Sequence, residues 1–218
     1  MTYEEFEKIL LAEFPSVSEE QKAQFRQMDG LYREWNAKIN VISRKDIDEV
    51  YRHHVLHSLA IASYAQRHSA EVEFPDGCQV LDLGTGGGFP GIPLAIMYPQ
   101  VQFTLCDSVG KKTIVASAVA KALDLKNVTV VNARAESLPQ SFDWVVSRAV
   151  TSLENFIPWV KGKYSRGILY LKGGDIAEEI GIAMARYKLR KGSVYTWPVD
   201  SWLKDEYFAG KFVIRIEK

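Results

Sequence analysis

The chain has 218 residues, of which 47% are apolar and 25% charged, with 27 basic and 27 acidic side chains. This is ordinary globular composition, which excludes a disordered or fibrous chain, and a net charge of zero excludes a global field that would draw the protein to a polyanion. Two cysteines, Cys78 and Cys106, are too few for a disulfide framework or a four-cysteine zinc site and read as small core residues.

Residues 1–70 read as a helical extension. In "SVSEEQKAQFRQMDGLYREWNAKIN", Ser18 and Gln21 have capping-box spacing, and Phe25, Met28, Leu31, Tyr32, Trp35 and Ile39 recur at helical intervals. Trp35, Asn36 and Asn40 close this helix and start the following loop. "DIDEVYRHHVLHSLAIASYAQ" reads as a second amphipathic helix with Ile47, Val50, Tyr51, Val55, Leu59 and Ala62 on one face. The acidic start "MTYEEFEKILLAEF" lacks the positive charge of a signal peptide, and no apolar run reaches bilayer length, so a cytoplasmic protein is expected.

After a junction at "EVEFPDG", residues 71–77, a Rossmann-like α/β domain is expected over 71–218. "QVLDL", "QFTLCD", "VTVV", "FDWVVS" and "GILYLK" alternate with helical stretches, the pattern of a mainly parallel sheet. "GSVYTWPV" and "KFVIRIEK" have no helix between them and read as a closing antiparallel hairpin at the edge, making about seven strands.

The glycines of "VLDLGTGGGFPGIPLAI", residues 80–96, fall at the first strand-to-helix turn, where open α/β sheets bind ligands. Bare backbone lets N–H groups approach a ligand, and the following helix offers its N-terminus to negative charge. Two patterns overlap here. Gly84, Gly86 and Gly88 make G-x-G-x-G directly after Asp82, whereas Gly86, Gly88 and Gly91 fit the dinucleotide G-x-G-x-x-G. The later set starts two residues late, and Pro90 and Pro93 remove N–H donors that a pyrophosphate would need, so the earlier set is preferred. Asp107, ending the second strand, can accept hydrogen bonds from both ribose hydroxyls. Asp82 can hold an ammonium or face a sulfonium, and S-adenosylmethionine carries both groups where NAD carries neither. The plainer reading makes both aspartates helix caps.

These residues resemble the bacterial ribosomal small-subunit methyltransferase G family, also called glucose-inhibited division protein B. The likeness runs in order through "WNAKINVIS", "RHHVLHSLAI", "LDLGTGGGFPGIPLAI", "DSVGKK", "SRAV" and "LKGG", from about residue 32 to 175. It implies a class I S-adenosylmethionine-dependent methyltransferase fold, seven strands with an antiparallel edge and an N-terminal helical extension. The implied reaction is methyl transfer from S-adenosyl-L-methionine to N7 of one guanine in 16S ribosomal RNA, naked or in the small ribosomal subunit. By matching motifs, Gly84, Phe89, Ala135, Glu136 and Arg148 are the implied cofactor contacts, joining Asp82, Gly86, Gly88 and Asp107. The commoner family form has aspartate where this chain has His57.

The residues suit such chemistry. Guanine N7 is already a lone-pair acceptor and needs no deprotonation, so no catalytic base is expected. The fourth strand ends "VVSRAV", without the acceptor turn that amine methylation uses, and neither cysteine lies there as a nucleophile. Lys111, Lys112, Arg134 and Lys172 are the RNA-contact candidates. Arg134 and Arg148 also suit the cofactor carboxylate, a phosphate, or guanine O6. Arg186, Lys188, Arg190 and Lys191, interleaved with Tyr187, read as a solvated face. His53, His54 and His57 lack zinc-protease spacing, and no metal site is expected. The other readings left standing are a methyltransferase acting on a protein or small molecule, and an NAD-binding oxidoreductase or nucleotide-binding module using the later glycine set. A monomer is expected.

Overall fold

A computed structural model describes residues 1–138 and 141–218. Helices α1 (Tyr3–Glu13) and α2 (Glu19–Lys38) both start on reciprocal capping boxes, Thr2 with Glu5 and, as the spacing predicts, Ser18 with Gln21. Gln21 also donates from Nε2 to the Ile96 carbonyl at 2.7 Å, which ties the extension to the α/β layer.

The next segment departs from the single amphipathic helix expected. A 3-10 turn (Ile47–Glu49) leads into a π-helical stretch (Val50–Leu56), and only then into α3 (His57–Arg67). The buried pairs Val50/Val55 and Tyr51/Leu56 are five residues apart, the spacing a π-turn places on one face. Beyond it, every residue from His57 to Ala65 is buried, because α3 packs against α4 (Gly91–Met97) and the sheet.

The sheet has seven strands: β1 (Gln79–Leu83), β2 (Gln102–Asp107), β3 (Val128–Asn132), β4 (Phe142–Arg148), β5 (Tyr164–Gly173), β6 (Val194–Pro198) and β7 (Lys211–Glu217). Their order is β3-β2-β1-β4-β5-β7-β6. The first five are parallel, and β7 runs antiparallel to both neighbours. The expected closing antiparallel pair is formed by β6 and β7 at the edge, joined by a wide connection carrying two 3-10 turns, and β7 lies between β5 and β6.

Alternating side chains feed two cores, as strand periodicity requires. Val80, Phe103, Leu105, Trp144 and Val146 join one core with the N-terminal helices, α4 and α5 (Gly110–Ala122). Leu81, Leu83, Cys106, Val145 and Ile168 face α6 (Leu153–Val160) and α7 (Ala177–Tyr187). The chain leaves β1 toward β2 and β3, then returns to β4 on the other side of β1. This reversal opens a crevice at the carboxyl ends of β1 and β4.

Candidate functional site

The turn after β1 is organised from below by Asp82. Its side chain is fully buried, and Oδ2 accepts from Thr85 Oγ1 at 2.6 Å and from the Gly91 N–H at 2.8 Å. Oδ1 has no partner among the described residues. Burial pushes this carboxyl up to about 7, against the opposing pull of those two hydrogen bonds. The helix N-terminus expected to meet a ligand's negative charge therefore receives the protein's own carboxylate. The N–H groups of the later glycine set are engaged within the protein, Gly86 to Asp107, Gly88 to the Thr85 carbonyl and Gly91 to Asp82, and Pro90 has none.

Gly84 (φ +73°) and Gly88 (φ +115°) adopt backbone conformations that L side chains avoid, and this bends the chain around Asp82. The Gly86 N–H donates to Asp107 Oδ2 at 2.9 Å, while Asp107 Oδ1 accepts from the Val109 N–H at 2.8 Å. The extension supports the turn from outside: Tyr32 Oη donates to the Gly87 carbonyl at 2.9 Å, and Val41 lies against Gly87.

Above the turn is a cleft of about 550 Å³ crossing the ends of β1 to β4. Of the expected cofactor contacts, Gly84, Asp107, Ala135, Glu136 and Arg148 line it; Ser108, Val109, Val150 and Trp159 complete much of the wall. Asp82, Gly86, Gly88 and Phe89 lie outside that wall. Asp82 and Phe89 are buried, Gly86 anchors Asp107, and Gly88 packs on Ile92 and Tyr32. The Phe89 ring lies 4.6 Å from Tyr32 and 5.0 Å from His54, so it supports the site from behind.

Of the expected RNA contacts, Lys112 and Arg134 line the cleft and Lys111 is exposed beside it. Lys172 lies outside the cleft wall and is engaged within the protein. Its Nζ donates to Glu179 Oε1 at 2.9 Å and to the Thr151 carbonyl at 2.8 Å, and both side chains of the ion pair are largely buried. In the late cluster, Arg186 pairs with Glu154 and Arg190 with Glu217. Burial raises the Cys78 thiol to about 12 and Cys106 to about 11, which removes both as nucleophiles. No group of three potential metal ligands occurs among the described residues.

Two features escaped the sequence reading. Asn36 Oδ1 accepts from the N–H groups of Val41 and Ile42 at 2.8 and 2.9 Å, so residues 41–45 are held beside the glycine turn with Arg44 and Lys45 exposed. In addition, Arg148 forms no ion pair among the described residues. It donates to the His53 carbonyl at 3.2 Å and to His54 Nδ1 at 2.9 Å, with its guanidinium 5.1 Å from the Phe89 ring centre. The "RHH" run marked these histidines, but nothing local linked them to a residue 94 positions away. His57, where the family's aspartate is expected, is buried against Tyr207 and Phe208, and burial holds it neutral.

The donor set fits an adenosine-linked amino acid. Asp107 and Glu136, at the β2 and β3 ends, suit hydroxyl and amine donors, whereas the uncompensated Arg148, at the β4 end, suits a carboxylate. Gly84 between them gives backbone access, since a Cβ there would fall 2.3 Å from Val150 Cγ2.

Fold and site together define an α/β methyltransferase architecture. The chain is similar in fold to the crystal structure of magnesium protoporphyrin IX methyltransferase from Synechocystis PCC 6803 with bound SAM. The TM-score is 0.60 at 14% identity, covering 93% of this chain and 99% of that one. A family model described as rRNA small subunit methyltransferase G matches residues 21–201. Ribosomal RNA small subunit methyltransferase G of Flavobacterium psychrophilum is 46% identical over 215 residues, 95% of this chain and 96% of that protein. The Porphyromonas gingivalis protein of the same name is 49% identical over 210 residues, 92% and 89% of the two chains. The chain belongs to the ribosomal RNA small subunit methyltransferase G family.

Proposed function

We propose that this protein transfers a methyl group from S-adenosyl-L-methionine to N7 of a guanine in 16S ribosomal RNA. The observation that carries the reading is the polarity of the cleft, with carboxylates at the β2 and β3 ends and the Arg148 cation, unpaired among the described residues, at the β4 end. Family membership supports the RNA acceptor.

Bound there, the donor supplies a sulfonium-activated methyl carbon. Asp107 would accept from the ribose hydroxyls with lone pairs left over from its two backbone bonds, and Glu136 and Ala135 would hold the nucleoside end from the β3 side. Arg148 engages the amino-acid carboxylate. A guanine N7 entering the cleft would need no base from the protein, since its lone pair is already available to a methyl carbon whose sulfur would leave as a neutral thioether and whose positive charge the purine would take up. Among the described residues, the side chains lining the cleft include neither cysteine nor histidine, which suits a step that orientation accelerates without a general base.

Lys112 and Arg134 on the cleft, Lys111 beside it, and Arg44 and Lys45 on the loop flanking the glycine turn meet RNA phosphates. With no net charge, weak attraction to naked RNA favours a target presented by the small subunit. The protein acts in the cytoplasm as a monomer, with helices covering both faces of its sheet. The 1–70 extension and the 71–218 domain work as one unit, supported by the core they share.

The test is incubation of purified protein with labelled donor and either small subunits or stripped 16S RNA, followed by nucleoside mass spectrometry. N7-methylguanosine in the treated RNA is expected. Label in another nucleoside, or only in protein, would refute the proposal.

A further inference from the structure

We propose that His54 is a positioning residue that aims Arg148 at the carboxylate of the methyl donor. This rests on the methyl-donor reading of the cleft. A guanidinium has hydrogens to donate and no lone pair to offer, so the 2.9 Å contact between Arg148 Nη2 and His54 Nδ1 requires a bare Nδ1 and a proton on Nε2. The imidazole is therefore neutral, and burial followed by the nearby Arg148 charge keeps it so by lowering its pKa to about 3.

Neutrality is what the geometry needs. Arg148 is gripped by two uncharged acceptors, His54 Nδ1 and the His53 carbonyl, while Phe89 lies against both the guanidinium and the imidazole. Its direction is set and its charge is left whole. An aspartate or glutamate in place of His54 would fix the same direction but cancel the charge that a ligand carboxylate has to find. His54 Nε2 is buried with no partner among the described residues, so the imidazole carries an unsatisfied donor that an apolar side chain of similar size would avoid. Packing alone does not account for such a group, whereas supplying a neutral acceptor to Arg148 does. The π-helical stretch presents both acceptors, the His53 carbonyl and the His54 ring, to the end of β4. Tyr207 Oη reaches the same carbonyl at 3.3 Å and braces it from the far side.

The test compares two probes by calorimetry on wild type, His54→Leu and His54→Asn. S-Adenosylhomocysteine carries the amino-acid carboxylate; 5′-methylthioadenosine keeps the adenosine and thioether without it. Losing one hydrogen bond to a charged group predicts about tenfold weaker S-adenosylhomocysteine binding for His54→Leu, with methylthioadenosine affinity unchanged. In His54→Asn, Oδ1 stands in for Nδ1 and restores most of the affinity. Equal losses for both probes, no loss for either, or a loss that asparagine does not repair would overturn the proposal. Binding of neither probe to wild type would instead sink the donor reading itself, so the two failures are distinguishable.

Discussion

Replacing Asp82 by asparagine tests whether the carboxylate beneath the glycine turn is a burden on the fold. Asparagine keeps one oxygen for the Thr85 hydroxyl and the Gly91 N–H and removes the charge. Burial raises the folded-state value from 3.8 to about 7. Between those values the folded protein binds more protons than the unfolded chain, so stability falls as pH rises through this window and levels off above it. At 1.36 kcal/mol per unit, the full cost of ionising the buried group is about 4 kcal/mol, of which about 3 lies between about pH 5 and about pH 8. The other titrating groups are common to both proteins and cancel in the difference. Urea denaturation of wild type and Asp82→Asn at those two pH values should therefore show the variant gaining about 3 kcal/mol relative to wild type at the higher one. A gap independent of pH would mean that Asp82 stays charged in the folded protein, and the linkage reasoning would fail.

Gly91→Ala and Gly84→Ala should separate stability from binding. A Cβ on Gly91 lies 2.6 Å from Asp82 Oδ2 and 2.8 Å from Leu105 Cγ in packed interior, so a loss of about 3 kcal/mol, or about 6–12 °C in Tm, is expected by calorimetry. A Cβ on Gly84 has Val150 as its nearest neighbour, with Cγ2 at 2.3 Å and Cβ at 3.3 Å, and because Val150 is 38% exposed the contact is relieved toward solvent at less cost than in the packed interior around Gly91. Stability then falls by about 1 kcal/mol through the left-handed backbone, while S-adenosylhomocysteine affinity drops at least about tenfold. Lys112→Ala and Arg134→Ala should each flatten the slope of log affinity against log salt by about 0.7 in RNA titrations. Lys172→Ala should leave that slope unchanged and cost about 1–2 kcal/mol in urea unfolding, because it strands the largely buried Glu179.

What the sequence determined by itself was local in origin. Ser18 with Gln21 starts a helix because both halves of the capping box lie within one turn, and the run from "QVLDL" to "GILYLK" reads as alternating strands because each is a short apolar segment between turn signals. The glycine turn was legible for the same reason, and so was its place after the first strand. Five of the nine expected cofactor residues, Gly84, Asp107, Ala135, Glu136 and Arg148, reached the cleft wall because they sit at strand ends, which the parallel topology gathers on one edge. Tertiary structure alone decided the rest. Whether Asp82 meets a ligand or the protein's own Gly91 depends on the depth of the turn, and whether Lys172 meets RNA depends on Glu179 in the following helix. The π-turn, with buried residues five apart, breaks the periodicity by which helices are read, and it carries His54 to Arg148 across 94 residues of chain. Such pairings are made by packing between distant segments, and hydrophobic spacing within one segment holds no record of them.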